Sequence, residues 1–485
     1  MLRHLRSGLI AGSLIAGLAV HPAQAMAADD YGLPSLGGAS QVASDAEYEL
    51  GRAWLRQFRA QAPTWQDPFA QAYVESLVSR LIPYSDLANT RTVVTLVESR
   101  TLNAFAVPGG VIGINAGLFA FADEEDAAAS VVAHELGHLS QRHYARSMSR
   151  AEQTQLPAMA AMLAGLLIAA SGAGDAGMAA AMGSQAALLQ DQLSYSRRFE
   201  QEADRIGLQA MTQAGFDPQA MVRIFRAMQR QVSLQGGNPP EFLLTHPLTD
   251  SRLSDIASRA GQLEATETSP TQATPLYHMI RARALLTLHD REPRQAVTRL
   301  AQGDAPETAR RYLDALIVAQ RGDADRALSE LDRLAEELPD LPLLPASAAK
   351  VAFEAGRYDE AIRRSRGLLR LMPGHIPTRL VLGEAFLQRD PDEAYRVLRD
   401  LAQERPEDPQ IFGLLAEAAG RSGREAWGHL ARAEQLQLSG EIDRAIRQLD
   451  VASDVAERDG DRSAASRIET RREDFIDYRE TLETF

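Results

Sequence analysis

The sequence predicts an α+β fold, mainly α. A first half holds a short β-sheet among helices, and an all-α repeat solenoid follows. Three observations predict this. His134-Glu135-Leu136-Gly137-His138 sits in an apolar helical stretch. Three short β-branched runs fall between residues 92 and 115. From about residue 275 a helical pattern recurs every 33 or 34 residues.

The ends and the composition set the frame. Arg3 and Arg6 precede an apolar run, Leu9 to Val20, and Ala23-Gln24-Ala25 matches a signal-peptidase site. Residues 1–25 therefore read as a signal peptide, with an h-region too short to span a bilayer. Residues 26–45, rich in Gly, Ser, Ala and Asp, read as a flexible leader. The chain has no cysteine, which excludes disulfides and thiolate ligands. Its formal charge of −14 argues against broad nucleic-acid binding.

Two helices are expected near Glu47 to Gln61 and Pro68 to Leu81. Thr92 to Val97 is a first strand, Leu102 to Val107 a second, and Val111 to Asn115 a third after the Pro108-Gly109-Gly110 turn. An exposed strand edge can hold an extended peptide by main-chain hydrogen bonds. Asn103, Ala104, Phe105 and Ala106 are the candidates for that edge, although an ordinary hairpin reads equally well.

Asp123 to Asp126 place acid at the start of the next helix, which suits its dipole. This helix is expected to run to about Met148. His134 and His138, four apart, share one face and can both reach one Zn²⁺. Glu135 stands beside them, able to take a proton from a water at the metal. The apolar flanks bury these groups, a cost of several kcal/mol unless they are paired or metal-bound. His143, half a turn out of phase on the same helix, is expected to point away from the metal as a structural or surface residue.

Residues 156–189 read as an apolar helical hairpin: a lid, a substrate-guiding surface, a membrane-interface contact or more core. The helix opening near Ser196 offers a third ligand, Glu200. Asp204, one turn on, can accept a hydrogen bond from a ligand imidazole. Glu200 is preferred over Glu202 because only Glu200 has an acidic partner four residues on. Glu202 reads as a solvated acid. In the loop before Pro247, His246 can bond an oxyanion, approach the metal as a fourth ligand, or merely cap. Arg252 can bring positive charge to the same oxyanion.

HELGH, EQEAD (200–204), LTHPLTDSRL (244–253) and NAFAVPGG (103–110) together resemble the M48 metallopeptidases. The resemblance implies a gluzincin-like fold and one zinc held by His134, His138 and Glu200. It also implies Glu135 as base and His246 as a residue able to occupy the open zinc position. Other members carry membrane-spanning helices after the zinc helix, and residues 156–189 are too short for that. With the signal peptide and the repeats, the resemblance implies a periplasmic endopeptidase acting on misassembled outer-membrane proteins and assisting their assembly. Peripheral membrane contact is compatible with it. The alternative is mainly a chaperone or docking adaptor with gated cleavage.

In the second half, Gly322-x₄-Ala327 recurs as Gly356-x₄-Ala361 and, without the glycine, as Arg389-x₄-Ala394, with Pro339, Pro373 and Pro406 closing the units. This is tetratricopeptide spacing. Gly440-x₄-Ala445 repeats it out of phase, so the last units are expected to be irregular. Such stacks bind proteins; together with the resemblance above, the expected partners are protein substrates or the outer-membrane β-barrel assembly machinery. The expected division is 46–262 zinc metalloprotease domain, 263–274 linker and 275–485 tetratricopeptide-repeat domain.

Overall fold

The computed structural model describes residues 39–87, 91–147, 149–150, 196–234, 240–263 and 275–484. The signal peptide, most of the leader, the hairpin at 156–189 and nearly all of the linker lie outside the described residues.

Helix α1 (Ala39–Gln61) begins earlier than Glu47, inside the stretch read as leader. Helix α2 (Pro68–Leu81) starts where Asp67 accepts hydrogen bonds from the Phe69 and Ala70 N–H groups, with Pro68 in its first turn. Its buried face, Phe69, Tyr73, Val74, Leu77 and Leu81, follows the helical period.

The strands are β1 (Val93–Val97), β2 (Ala104–Val107) and β3 (Val111–Asn115), in the order β1-β3-β2. The β2–β3 hairpin is antiparallel and β1 runs parallel to β3. Gly109 and Gly110 both adopt positive φ in the connecting turn, the freedom that favours glycine there. β3, paired on both sides, is wholly buried, as its unbroken apolar run suits. β2 lies at the edge. Phe105 covers Gly113 across the pair and packs against Trp54 and Phe58 of α1.

After the short α3 (Ala116–Phe121) comes α4 (Glu125–Ser140), with Glu125 and Asp126 in its first turn. It ends at Ser140, not near Met148. Arg142 turns the chain at φ 50°, held by Glu47 at 2.7 Å, and a new helical segment starts at residue 143. Among the described residues four further helices follow in the first half: α5 (196–213), α6 (Gln219–Leu234), α7 (Glu241–Thr245) and α8 (Asp250–Ala260).

The second half alternates helices from Pro275–Leu288 to Arg462–Thr484. Gly322, Gly356 and Gly423 take positive φ in the turns within units. Gly423 marks a regular unit that the sequence pattern missed, because Gly428 stands where alanine is expected. Gly440 lies at the joint after that unit, and the last two helices are longer than the rest. Ion pairs link neighbouring units: Arg357–Asp325, Arg364–Asp332 and Arg424–Asp392 each span 32 residues.

The stack also grips the first half. Tyr277 donates to the Ala122 carbonyl at 2.7 Å, Arg283 pairs with Asp67 at 2.6 Å, Arg52 with Glu407 at 2.8 Å, and Arg56 donates to Gln437 at 2.7 Å. One apolar core runs from Trp65 through to Ala431.

Candidate metal centre

Two helices meet at glycines. A Cβ on Gly137 of α4 would lie 2.8 Å from the Ala203 carbonyl oxygen, and one on Gly207 of α5 would lie 2.9 Å from the His134 nitrogen. Only glycine at these positions lets the backbones approach so closely. The crossing carries Glu200 and Asp204 of α5 up to His134 and His138 of α4. The stub of α7 then delivers His246 from its C-cap.

The side chains converge. Ligand atoms of His134, His138, Glu200 and His246 all lie within 4.8 Å of one another. His134 Nε2 is 3.1 Å from His138 Nε2 and 3.5 Å from Glu200 Oε2. His138 Nε2 is 3.5 Å from Glu200 Oε1. His246 Nδ1 is 3.4 Å from His134 Nε2 and 3.1 Å from Glu200 Oε1. A tetrahedron with bonds of about 2.0–2.1 Å has edges of about 3.3 Å, so these separations fit a four-coordinate zinc. The donor set, imidazole nitrogens and a carboxylate oxygen, suits the same ion.

Behind the centre, His134 Nδ1 lies 3.0 Å from Asp204 Oδ1, close enough for an ion pair though without a formed hydrogen bond. Arg252 corrects an expectation. It does not face an oxyanion: its guanidinium is buried, donates to both Asp204 oxygens at 2.7 and 2.8 Å and to the Pro247 carbonyl, and lies 2.9 Å from Glu200 Oε2. It compensates two buried carboxylates that would otherwise repel.

His143 is a second correction. Because α4 stops at Ser140, the half-turn argument does not apply, and His143 folds back so that its Nδ1 lies 2.8 Å from His138 Nδ1. Its Nε2 is 3.1 Å from Glu202, which Arg146 also holds at 2.7 Å. Glu202 is thus partnered rather than freely solvated. A local period cannot reveal these two residues. The contact follows the helix stop after Ser140, where Arg142 takes a positive φ and pairs with Glu47 from far back in the chain.

Burial works against every charge here, and the partners decide the outcome. Burial alone lowers the His134 pKa, but the Asp204 and Glu200 carboxylates lift it to about 9. Burial raises Glu200 and Asp204, yet His134 with His246, and His134 with Arg252, hold them below the usual carboxylate range. His138 is pushed well down by burial and by His134. Glu135 is pushed up by burial, only partly offset by His246 and His134.

Glu135 lies at the floor of a cleft of about 620 Å³, with His138, Glu200 and His246 beside it and Phe105 and Ala106 of β2 along one wall. The Ala106 N–H donates to its carboxylate, and His246 Nε2 is 3.4 Å from Oε1. Of the candidate edge, Ala104 is buried and Asn103 is turned to Glu241 at 3.2 Å. Asn103, Phe105 and Ala106 line the cleft.

Among the described residues no helix is long and apolar enough to cross a membrane. The sequence profile of Peptidase family M48 matches residues 68–260, and that of the tetratricopeptide repeat matches residues 352–418. The Beta-barrel assembly-enhancing protease of Escherichia coli (strain K12) is 33% identical over 464 residues, covering 93% of each chain. Its Yersinia pestis namesake is 32% identical, covering 93% of this chain and 92% of its own. Mitochondrial metalloendopeptidase OMA1 of Schizosaccharomyces pombe is 30% identical over 184 residues, 38% of this chain and 51% of that one. The centre described above falls within the matched peptidase region, and the chain belongs to peptidase family M48 as a zinc metalloendopeptidase with C-terminal tetratricopeptide repeats.

Proposed function

We propose that this metalloendopeptidase works in the periplasm, degrading misassembled outer-membrane proteins and assisting their assembly. In this reading residues 1–25 are the export signal, 46–262 the protease domain and 275–485 the repeat domain. The repeats present substrate or dock on the outer-membrane β-barrel assembly machinery. Support comes from the names of the full-length relatives and from the signal-like first 25 residues.

His134, His138 and Glu200 would hold the zinc, with His246 beside them as a further donor. When bound, zinc acts as a Lewis acid that acidifies water and polarises the scissile carbonyl. Glu135 takes the proton of the attacking water and passes it to the leaving amine. Its buried carboxyl, raised by that burial, is suited to both tasks. An extended substrate lies along the outer edge of β2 at Asn103 to Ala106, using main-chain hydrogen bonds. His246 swings clear as substrate enters, and its ring N–H is then free to donate to the oxyanion. Asp204 orients His134, and Arg252 keeps Asp204 and Glu200 ionised and in place.

The observation that carries this reading is the convergence of four ligand groups beside Glu135 at the floor of an open cleft. Glu135→Gln is expected to retain zinc and lose cleavage of an unfolded outer-membrane β-barrel protein. Cleavage by that variant at the wild-type rate removes Glu135 from its role.

A second reading, a chaperone or docking adaptor with gated cleavage, is favoured by one contact set. His246 engages both Glu200 and Glu135, closing the resting centre with the protein's own side chain. Complementing a deletion strain with Glu135→Gln separates the two: full rescue supports the adaptor, and loss supports the protease.

A further inference from the structure

We propose that His143 and Glu202 form a relay that fixes the ring of His138 and selects the tautomer in which it can bind metal. The proposal rests on the reading of His138 as a zinc ligand.

The argument starts from the carboxylate. Glu202 Oε2 accepts from Arg146 at 2.7 Å and lies 3.1 Å from His143 Nε2. An ionised carboxylate only accepts, so the proton of this contact sits on His143 Nε2. A neutral His143 then has a bare Nδ1. That nitrogen faces His138 Nδ1 at 2.8 Å, so the proton between the two rings belongs to His138 Nδ1. His138 is left with its lone pair on Nε2, the nitrogen that faces His134 and Glu200. One carboxylate thus sets two tautomers, the second across an intervening ring.

The relay is held rigidly. His143 is buried and stacks on Phe199, centroids 4.1 Å apart and planes 17° apart. Phe199 precedes Glu200, so the same helix supplies the platform, the ligand and the terminal carboxylate. Arg146 also lies over the Phe199 ring, 4.6 Å from its centroid. The turn at Gln141 and Arg142 gives His143 its approach, which an unbroken α4 would deny. The two histidines are therefore backed differently: His134 meets its carboxylate directly, whereas His138 reaches one through a second imidazole. Partners of this kind orient ligand rings and raise their basicity. His143 and Glu202 are positioning residues that touch neither substrate nor metal.

The test uses the full-length protein and Zn²⁺ with a competing chelator. His143→Phe keeps a ring on Phe199 but accepts no hydrogen bond, and is expected to weaken zinc binding about 10–100-fold. Glu202→Ala should weaken it about 10-fold, and His143→Gln, which retains an acceptor, should recover most of the loss. Metal-free melting temperatures of the variants should match wild type, separating lost positioning from lost folding. If His143→Phe fails to fold, ¹⁵N-histidine spectra of the zinc-loaded wild type still decide: protons on His138 Nδ1 and His143 Nε2 are expected. A proton on His143 Nδ1, or wild-type zinc affinity in both His143→Phe and Glu202→Ala, overturns the relay. Wild-type zinc affinity in His138→Ala would instead show that the ligand assignment itself had failed.

Discussion

The metal centre and the repeat stack use the same residue types, Arg with Asp or Glu, in opposite ways. At the centre, Arg252 is 2% exposed and serves Asp204 and Glu200 at once, among groups drawn from three separate helices. In the stack, Arg364 pairs with Asp332 one repeat away, and both side chains keep substantial contact with solvent. Buried charges that share partners cannot lose one without stranding the others. Half-exposed pairs in a ladder are screened and replaceable. The centre is therefore expected to fail as a unit, and the stack to degrade by increments.

The largest effect is expected of Glu200→Gln. Loss of a ligand carboxylate should weaken zinc binding by more than the about 10–100-fold expected of any residue behind the ligands, as read by chelator competition. A smaller loss would take Glu200 out of the ligand set.

Next in size is Arg252→Met. It leaves Asp204 and Glu200 uncompensated, so metal-free protein should lose about 3–5 kcal/mol in denaturant unfolding. A loss below about 1 kcal/mol would mean that the charges are not coupled as described.

Two glycines sharpen the contrast. Gly207→Ala drives a Cβ to 2.9 Å from the His134 backbone, and the helices must part. The expected cost is about 1–3 kcal/mol, with zinc affinity falling in parallel. Gly356→Ala meets nothing within 4 Å and suffers only from its φ of 73°, costing about 1 kcal/mol with zinc affinity unchanged. Equal zinc affinities for the two variants would remove the close crossing from the account of the site.

The smallest effect belongs to Arg364→Gln. Loss of the Arg364–Asp332 rung should cost less than about 1 kcal/mol, and less still at high salt. A salt-independent loss above that would place this pair with the buried network.

Legibility followed the range of the interaction. The α4 pair His134 and His138, the Glu200–Asp204 spacing and the β2–β3 hairpin turn are local patterns with periods of 3.6 or 2, and all three are readable from the chain. The regular repeat at Gly423 was missed for an equally local reason: Gly428 stands in place of the expected alanine. Arg252 was legible as a nearby charge, but its direction was not. That direction depends on Asp204, which arrives from a different helix.

The chain by itself determined the helix faces, the turn glycines and the repeat period, because each is set by steric rules acting over a few residues. Tertiary structure alone decided where α4 stops, and so that His143 backs His138 instead of pointing away. It also turned Arg252 toward two carboxylates and set the repeat stack against α1, with Arg52 on Glu407 and Arg56 on Gln437. The physical reason is common to all of these. Each is a contest between burial and pairing, and the winning partner lies tens to hundreds of residues away, beyond the reach of any local pattern.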